Sequence, residues 1–388
     1  MEPGSRACIG DGGLALRFLH TADWQIGMKC LQAGEKAAAV RDARRRTVER
    51  IIDVANEQHV DFILVAGDQF EERTPRTAEI GQVAGALRRA KMPVYILPGN
   101  HDPGGLDGPY AGAAWQTLDG ANVVTIREPR AYDLPGGGVL LASPCLKKYS
   151  TDDPTAWYAG YETPPDAIRV GLAHGELQIP GKIETSEGEQ RGSFPIPLDA
   201  ASRGRLDYLA LGHWHSGQSY DDGSAQIAYC GTPEQSSFAD RDCGTVSIVT
   251  IAERGARPSI ERISVGELRW IERSHEISDE DSVDRLAGDL RALEMPDRML
   301  ARFHVRGFCT PAAAERLEVL EAECKARFFF IAFERALEAR PQTREAWLAA
   351  FPPGEFQSIA AHLLDQIDRD EDTATAGRAL ELLAEYAR

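Results

Sequence analysis

Over residues 35–59 the apolar positions Val40, Ala43, Val48, Ile51, Ile52 and Ala55 recur three or four apart, which predicts a helix burying one face. The run "VDFILVAGD" that follows is apolar on both faces, as in a strand of a parallel sheet. Ile80, Val83, Ala84 and Leu87 mark a second helix over 77–90, ahead of the strand "PVYILPGNHD". With the earlier run Leu16, Phe18, Leu19, this gives strand, helix, strand, helix, strand, the order of crossover units in an α/β sheet. Short strands then follow at 123–126, 139–143, 168–173, 208–211, 226–229, 245–251 and 260–265, separated by turn-rich pieces such as "PGGG" and "DDGS". The expectation is an α/β protein with a two-sheet core and helices outside.

The pattern changes after Gly266. A strand through "RWIERSHEI", a helix over 281–293, the strand "MLARFHVRG", a helix over 311–326 and the strand "FFFIAFE" can close a small sheet of their own. Helical pieces follow beyond Pro341. The expected organisation is a loose leader (1–16), a main α/β domain (17–266), a small α/β domain (267–340) and a C-terminal helical segment (341–388).

The chain has 388 residues and a formal net charge of −17, which argues against binding nucleic acid by bulk charge alone. Residues 271–388 hold 24 acidic against 15 basic side chains, so the acidity is densest there. Seven cysteines without a C-x-x-C pair point to neither a zinc knuckle nor a disulfide framework, and fit a reducing compartment. The first residues lack a basic segment followed by an apolar one, and no apolar run approaches a membrane span. A cytoplasmic protein without a membrane partner is expected.

Five apolar strands end on groups that bind hard or borderline cations: "HTADWQ" (Asp23, Gln25), "LVAGD" (Asp68), "LPGNHD" (Asn100, His101, Asp102), "GLAHGE" (His174) and "LGHWH" (His213, His215). Alternation along an extended chain would send Asp23 and Gln25 to one side and Trp24 to the other. Ligands of open α/β sheets sit outside the carboxyl ends of strands, so these segments can converge. Mixed carboxylate, amide and imidazole donors suit Mn, Fe or Zn better than Ca. As ligands, Asp23, Gln25, Asp68, Asn100, His174, His213 and His215 are seven, too many for one ion; with Asp68 bridging they divide between two, the arrangement that clamps an in-line displacement at phosphorus. Singly, each has an ordinary reading: a turn or cap aspartate, a polar turn, a satisfied core histidine. Together they favour a metal site. His59, His275, His304 and His362 lack such contexts and read as structural.

These motifs, in this order over residues 17–250, resemble the calcineurin-like metallophosphoesterases, and within them the SbcD-type DNA repair nucleases, the latter on "HTAD", "PGNHDP" and the layout after Gly266. The resemblance implies a two-sheet sandwich, a capping domain and two divalent ions, Mn foremost, with Mg, Fe or Zn as alternatives. It places Asp23, residue 25, Asp68 and His215 on one ion and Asp68, Asn100, His174 and His213 on the other. His101 would orient the phosphate or protonate the leaving oxygen, and Asp102 would fix the ring of His101. It also implies DNA as substrate, an SMC-like coiled-coil ATPase (SbcC type) as partner, and a homodimer. The departure is Gln25, where the family motif has His. The amide reads as a weaker ligand of a looser first site, as a hydrogen-bond partner of metal-bound water, or as the mark of a decayed site.

The cluster Arg41, Arg44, Arg45, Arg46 and Arg50 reads as a solvated helix face more readily than as a grip on DNA. Tyr149, Trp157, Tyr158 and Tyr161 either stack bases or pack onto the sheet. The apolar faces Ile359, Leu363, Leu364, Ile367 and Leu380, Leu383 either dock a partner helix or pack internally. A small-nucleotide phosphodiesterase or phosphatase with the same site, and a metal-poor noncatalytic scaffold, are the rival readings to a DNA nuclease.

Overall fold

The computed structural model describes residues 15–118, 121–179, 193–222, 225–341 and 343–387. The expected leader lies outside the described residues up to position 14, and Leu16 already opens the first strand. The chain divides into two compact units, Met1–Arg269 and Trp270–Arg388.

The first unit begins with β1 (Leu16–Thr21), α1 (Ala37–Glu57), β2 (Phe62–Ala66), α2 (Thr77–Leu87), β3 (Val94–Leu97), α3 (Ala113–Gln116) and β4 (Val123–Thr125). There follow β5 (Arg130–Asp133), β6 (Val139–Ser143), β7 (Arg169–His174), β8 (Glu176–Gln178), β9 (Pro195–Pro197), α4 (Ala200–Arg203) and β10 (Tyr208–Gly212). It closes with β11 (Gln218–Asp221), β12 (Gln226–Tyr229), β13 (Thr245–Ile251) and β14 (Ser259–Ser264). Two six-stranded sheets result, ordered β14-β13-β1-β2-β3-β4 and β11-β12-β10-β7-β6-β5. β1, β2 and β3 run parallel in one sheet, β6, β7 and β10 in the other.

Period-two alternation explains why the sheets stack. Phe18, Phe62, Leu64 and Ala66 join Leu140, Val170, Leu172 and Tyr208 in a core between the sheets. The intervening Leu19, Ile63 and Val65 face the other way, onto Val48, Ile51 and Ile52 of α1 and Val83 and Leu87 of α2. Phe18 and Phe62 stack at 4.9 Å, with Tyr208 edge-on to Phe18. The layers are therefore helix, sheet, sheet, with a further core on the outer side of the second sheet around Leu141, Leu209 and Ile196.

The second unit holds a three-stranded sheet of β15 (Arg269–Glu276), β16 (Met299–Cys309) and β17 (Phe330–Ala339), packed against α5 (Glu280–Arg291) and α6 (Pro311–Arg327) through Val283, Leu286, Phe303, Val305, Leu317 and Leu320. Three helices, α7 (Arg344–Ala349), α8 (Glu355–Asp368) and α9 (Thr373–Tyr386), share a smaller core of Trp347, Phe351, Leu364 and Leu380 with Phe308 of β16. Their apolar faces thus pack largely on one another, though Ile359 stays about half exposed. No helix among the described residues is long and apolar enough to cross a membrane.

Candidate metal centre

All five ligand-bearing segments lie at the carboxyl ends of parallel strands: β1, β2 and β3 of one sheet, β7 and β10 of the other. The sheets are stitched together at this rim. His174 Nδ1 lies 2.8 Å from the Ala66 carbonyl, and the His213 amide donates to both Asp23 carboxylate oxygens at 3.0 and 3.2 Å. The Asp23 and Gln25 amides donate to the carbonyls of Gly67 and Asp68.

The backbone here is unusual for non-glycine residues. Asp23, Gln25 and Asp68 have φ of 53°, 49° and 55°, and His213 has 114°. Left-handed conformations cost on the order of 1 kcal/mol or more each and persist where surrounding structure over-determines them. Asp23 and Gln25 do reach the same side, with Trp24 turned into the α1 core, but through left-handed turns instead of the extended alternation expected. Glycines make the close approach feasible. A Cβ on Gly67 would sit 2.1 Å from His174 Nδ1, and one on Gly99 would sit 2.1 Å from Asp68 Oδ1.

The resulting cluster is buried. Oxygen and nitrogen donor atoms of Asp23, Asp68 and His174 lie within 4.8 Å of one another. Because His174 Nδ1 must donate to a carbonyl, the neutral ring directs its Nε2 lone pair inward, 2.8 Å from Asn100 Oδ1 and 3.4 Å from Asp68 Oδ2. Three lone pairs facing one another demand a cation. Without a metal, a proton meets that demand: burial opposes charge on His174, but the adjacent Asp68 carboxylate overrides it and raises the ring's pKa to about 9. Asp68 is correspondingly held well below the usual carboxylate range, its burial outweighed by His174 and His101. His213 Nδ1 reaches the same Asn100 oxygen at 3.1 Å. By this test the residues present fit a divalent cation.

On the other flank, Gln25 Nε2 lies 3.3 Å from both Asp68 Oδ2 and His215 Nε2. Its Oε1 is buried with no hydrogen-bond partner among the described residues. His101, at the edge of the cluster, has its amide on Asp68 Oδ1 at 3.0 Å and its Nδ1 2.9 Å from the Glu71 carbonyl, which leaves Nε2 as the lone-pair nitrogen of the neutral ring.

The role expected of Asp102 does not match the structure. Its carboxylate accepts from the amides of Gly99 (2.7 Å) and Phe70 (3.0 Å) and from the Tyr110 hydroxyl, so it braces the turn that carries Asn100 and His101 instead of the His101 ring. Burial, then the nearby Asp68 charge, push its pKa up to about 7.

Arg44 also departs from the solvated-face reading. It is 2% exposed and donates to the carbonyls of Trp24, Glu234 and Gln235, pinning the Asp23–Gln25 turn to the 232–235 loop. Its neighbours keep that reading: Arg45 pairs with Asp42, Arg46 with Glu267 and Arg50 with Glu57. Tyr158 is buried with its hydroxyl on the Leu172 carbonyl, and Trp157 donates to Ser143, which settles these two rings as packing. Ser236 and Asp240 belong to the site's surroundings and have no sequence signal beyond the turn-like "SSFAD". Ser236 Oγ lies 2.7 Å from His215 Nδ1 and 2.7 Å from Asp240 Oδ2.

A two-sheet α/β core with buried carboxylates, an amide and imidazoles at its rim defines a metallophosphoesterase, a hydrolase of phosphodiester bonds that binds divalent metal. The model of the calcineurin-like phosphoesterases matches residues 16–217, and the chain belongs to that family. It is 26% identical over 286 residues to the SbcD component of the SbcCD nuclease of Bacillus subtilis, covering 63% of this chain and 68% of that one. It is 23% identical to the DNA double-strand break repair protein Mre11 of Methanosarcina mazei (62% of this chain, 37% of the relative) and 24% identical to Mre11 of Haloferax volcanii (80% and 66%).

Proposed function

We propose that the protein is a metal-dependent DNA phosphodiesterase, an exonuclease or endonuclease of the SbcD type, working in the cytoplasm as a homodimer with a coiled-coil ATPase partner. One observation carries the hydrolytic reading: His174 Nε2, Asn100 Oδ1 and Asp68 Oδ2 crowd one buried spot, a set of acceptors that calls for a positive charge. The relatives' names support DNA as the substrate.

Asp68, Asn100, His174 and His213 would hold one divalent ion, Mn foremost, and Asp23, Asp68 and His215, with Gln25 beside them, a second. Bound there, the ions supply positive charge to the phosphate and lower the pKa of attacking water. Ala66 fixes the His174 tautomer, and the His213 amide orients Asp23. His101, tethered by the Glu71 carbonyl, presents Nε2 to the substrate, where its protonated form gives a proton to the leaving oxygen.

The test is hydrolysis by the purified full chain with Mn, on linear double- and single-stranded DNA and on cyclic nucleotides. DNA cleavage is expected, with His101→Gln lowering it by about 10²–10⁴-fold while bound metal is unchanged. Turnover of cyclic nucleotides without DNA cleavage would replace the nuclease reading with the small-substrate one. Fewer than one ion per chain with no hydrolysis would leave the scaffold.

A further inference from the structure

Around His215 a chain of hydrogen bonds leads from a buried carboxylate into the site. Asp240 accepts the amides of Ser236 (2.8 Å) and Ser237 (2.9 Å) and the Ser237 hydroxyl (2.8 Å), so its position is fixed independently of the metal site. The Ser236 hydroxyl has one proton, and the ionised Asp240 carboxylate can only accept it. Ser236 Oγ therefore faces His215 Nδ1 as an acceptor, and Nδ1 must carry the ring proton. His215 Nε2 is left with its lone pair, pointed at Gln25. Two acceptors, His215 Nε2 and Asp68 Oδ2, then flank the Gln25 amide at 3.3 Å each, and only its NH₂ end satisfies both. The opposite orientation would set Oε1 against a carboxylate oxygen and a ring lone pair. The orphaned Oε1 is the visible consequence.

The two halves of the site therefore differ. At His174 and Asn100 no neutral amide NH₂ group stands between the imidazole nitrogen and the amide oxygen, 2.8 Å apart. At His215 and Asp68 a neutral amide already donates. A neutral imidazole at position 25 has a single ring N–H, so it could not donate to both acceptors as the NH₂ group does.

We propose that Asp240, acting through Ser236 and His215, orients Gln25 so that its NH₂ group stands in for a cation between Asp68 and His215, making the protein a one-ion enzyme at low metal concentration. The tight ion sits with Asp68, Asn100, His174 and His213. The second enters only when Gln25 turns its amide over or swings aside. Ser236 and Asp240 are positioning residues. The inference rests on the metal-centre reading above.

Titration of metal-free full-length protein with Mn, followed by calorimetry and by elemental analysis after desalting, tests it. Wild type should retain one ion per chain, with the second dissociation constant at least about tenfold weaker. Gln25→His should retain two. In the Gln25→His background, Ser236→Ala or Asp240→Asn should weaken the second ion by about 10–100-fold and leave the first unchanged. Nitrogen NMR of metal-free wild type should find His215 protonated at Nδ1, and Ser236→Ala should mix the tautomers. Two ions of equal affinity in wild type, or a single ion in Gln25→His, would overturn the inference while leaving the phosphoesterase intact. No bound ion in either protein would overturn the metal centre itself.

Discussion

His20, next to last in β1 and three residues ahead of Asp23, shows how far burial alone dictates chemistry at a single position. The ring is fully buried, with Nδ1 3.0 Å from the Tyr208 hydroxyl. Burial lowers its pKa from 6.5 to about 3, against a smaller opposing pull from the Leu211 carbonyl. In the unfolded chain it takes up a proton near pH 6.5, whereas in the folded protein it stays neutral until about pH 3. Its contribution is therefore fully present above pH 6.5 and lost as pH falls through that window, by about 3 kcal/mol at pH 4. His20→Gln should shrink the stability difference between pH 7 and pH 4 by about that amount in urea unfolding; an unchanged difference would refute the assignment. Legibility at this scale divides by whether a residue's partner is near in sequence or set by a strand end. Asp23, Asp68, Asn100, His174, His213 and His215 were readable because each terminates an apolar run. Arg44 was not, since its three carbonyl partners come from turns that meet it only in the fold. Asp102 was misplaced because sequence adjacency to His101 says nothing of which amides its carboxylate turns toward.

Period and punctuation in the chain identify an element where local signals agree with packing. α5 is an instance. Asp279 accepts the Ser282 amide at 2.8 Å while the Ser282 hydroxyl lies 3.2 Å from the Asp279 amide, and Glu280 and Asp281 place negative charge in the first turn. The apolar stripe Val283, Leu286, Ala287 and Leu290 then meets the sheet. Asp279→Ala should cost the element about 1 kcal/mol, read as roughly fivefold faster hydrogen exchange across α5 with β1–β3 unaffected. Equal exchange in both proteins would mean the cap contributes nothing. The metal-site turns resist such reading for the opposite reason: left-handed aspartates and glutamine break local preference, and contacts distant in sequence, to the neighbouring turn, to Arg44 and across the two sheets, hold them there.

At the scale of the molecule, those strained turns and crowded buried acceptors make the metal-free first unit less stable than its large cores would allow. A ligand that binds only the folded site adds stability as the logarithm of its concentration over its dissociation constant, about 4 kcal/mol at a thousandfold excess. For a unit of this size that corresponds to a rise of about 10 °C in the unfolding midpoint. Manganese at that excess should produce the shift in the full chain, and a chelator should reverse it. Asp68→Asn should abolish it, because Asp68 faces both His174 and Gln25 and so spans the two halves of the site. Gly67→Ala should abolish it by a different route, the added methyl displacing the His174 ring that closes the rim. A full shift in Asp68→Asn would place the ion elsewhere on this acidic surface, at carboxylates that lack the imidazole lone pair and amide oxygen pressed against Asp68 in one buried volume.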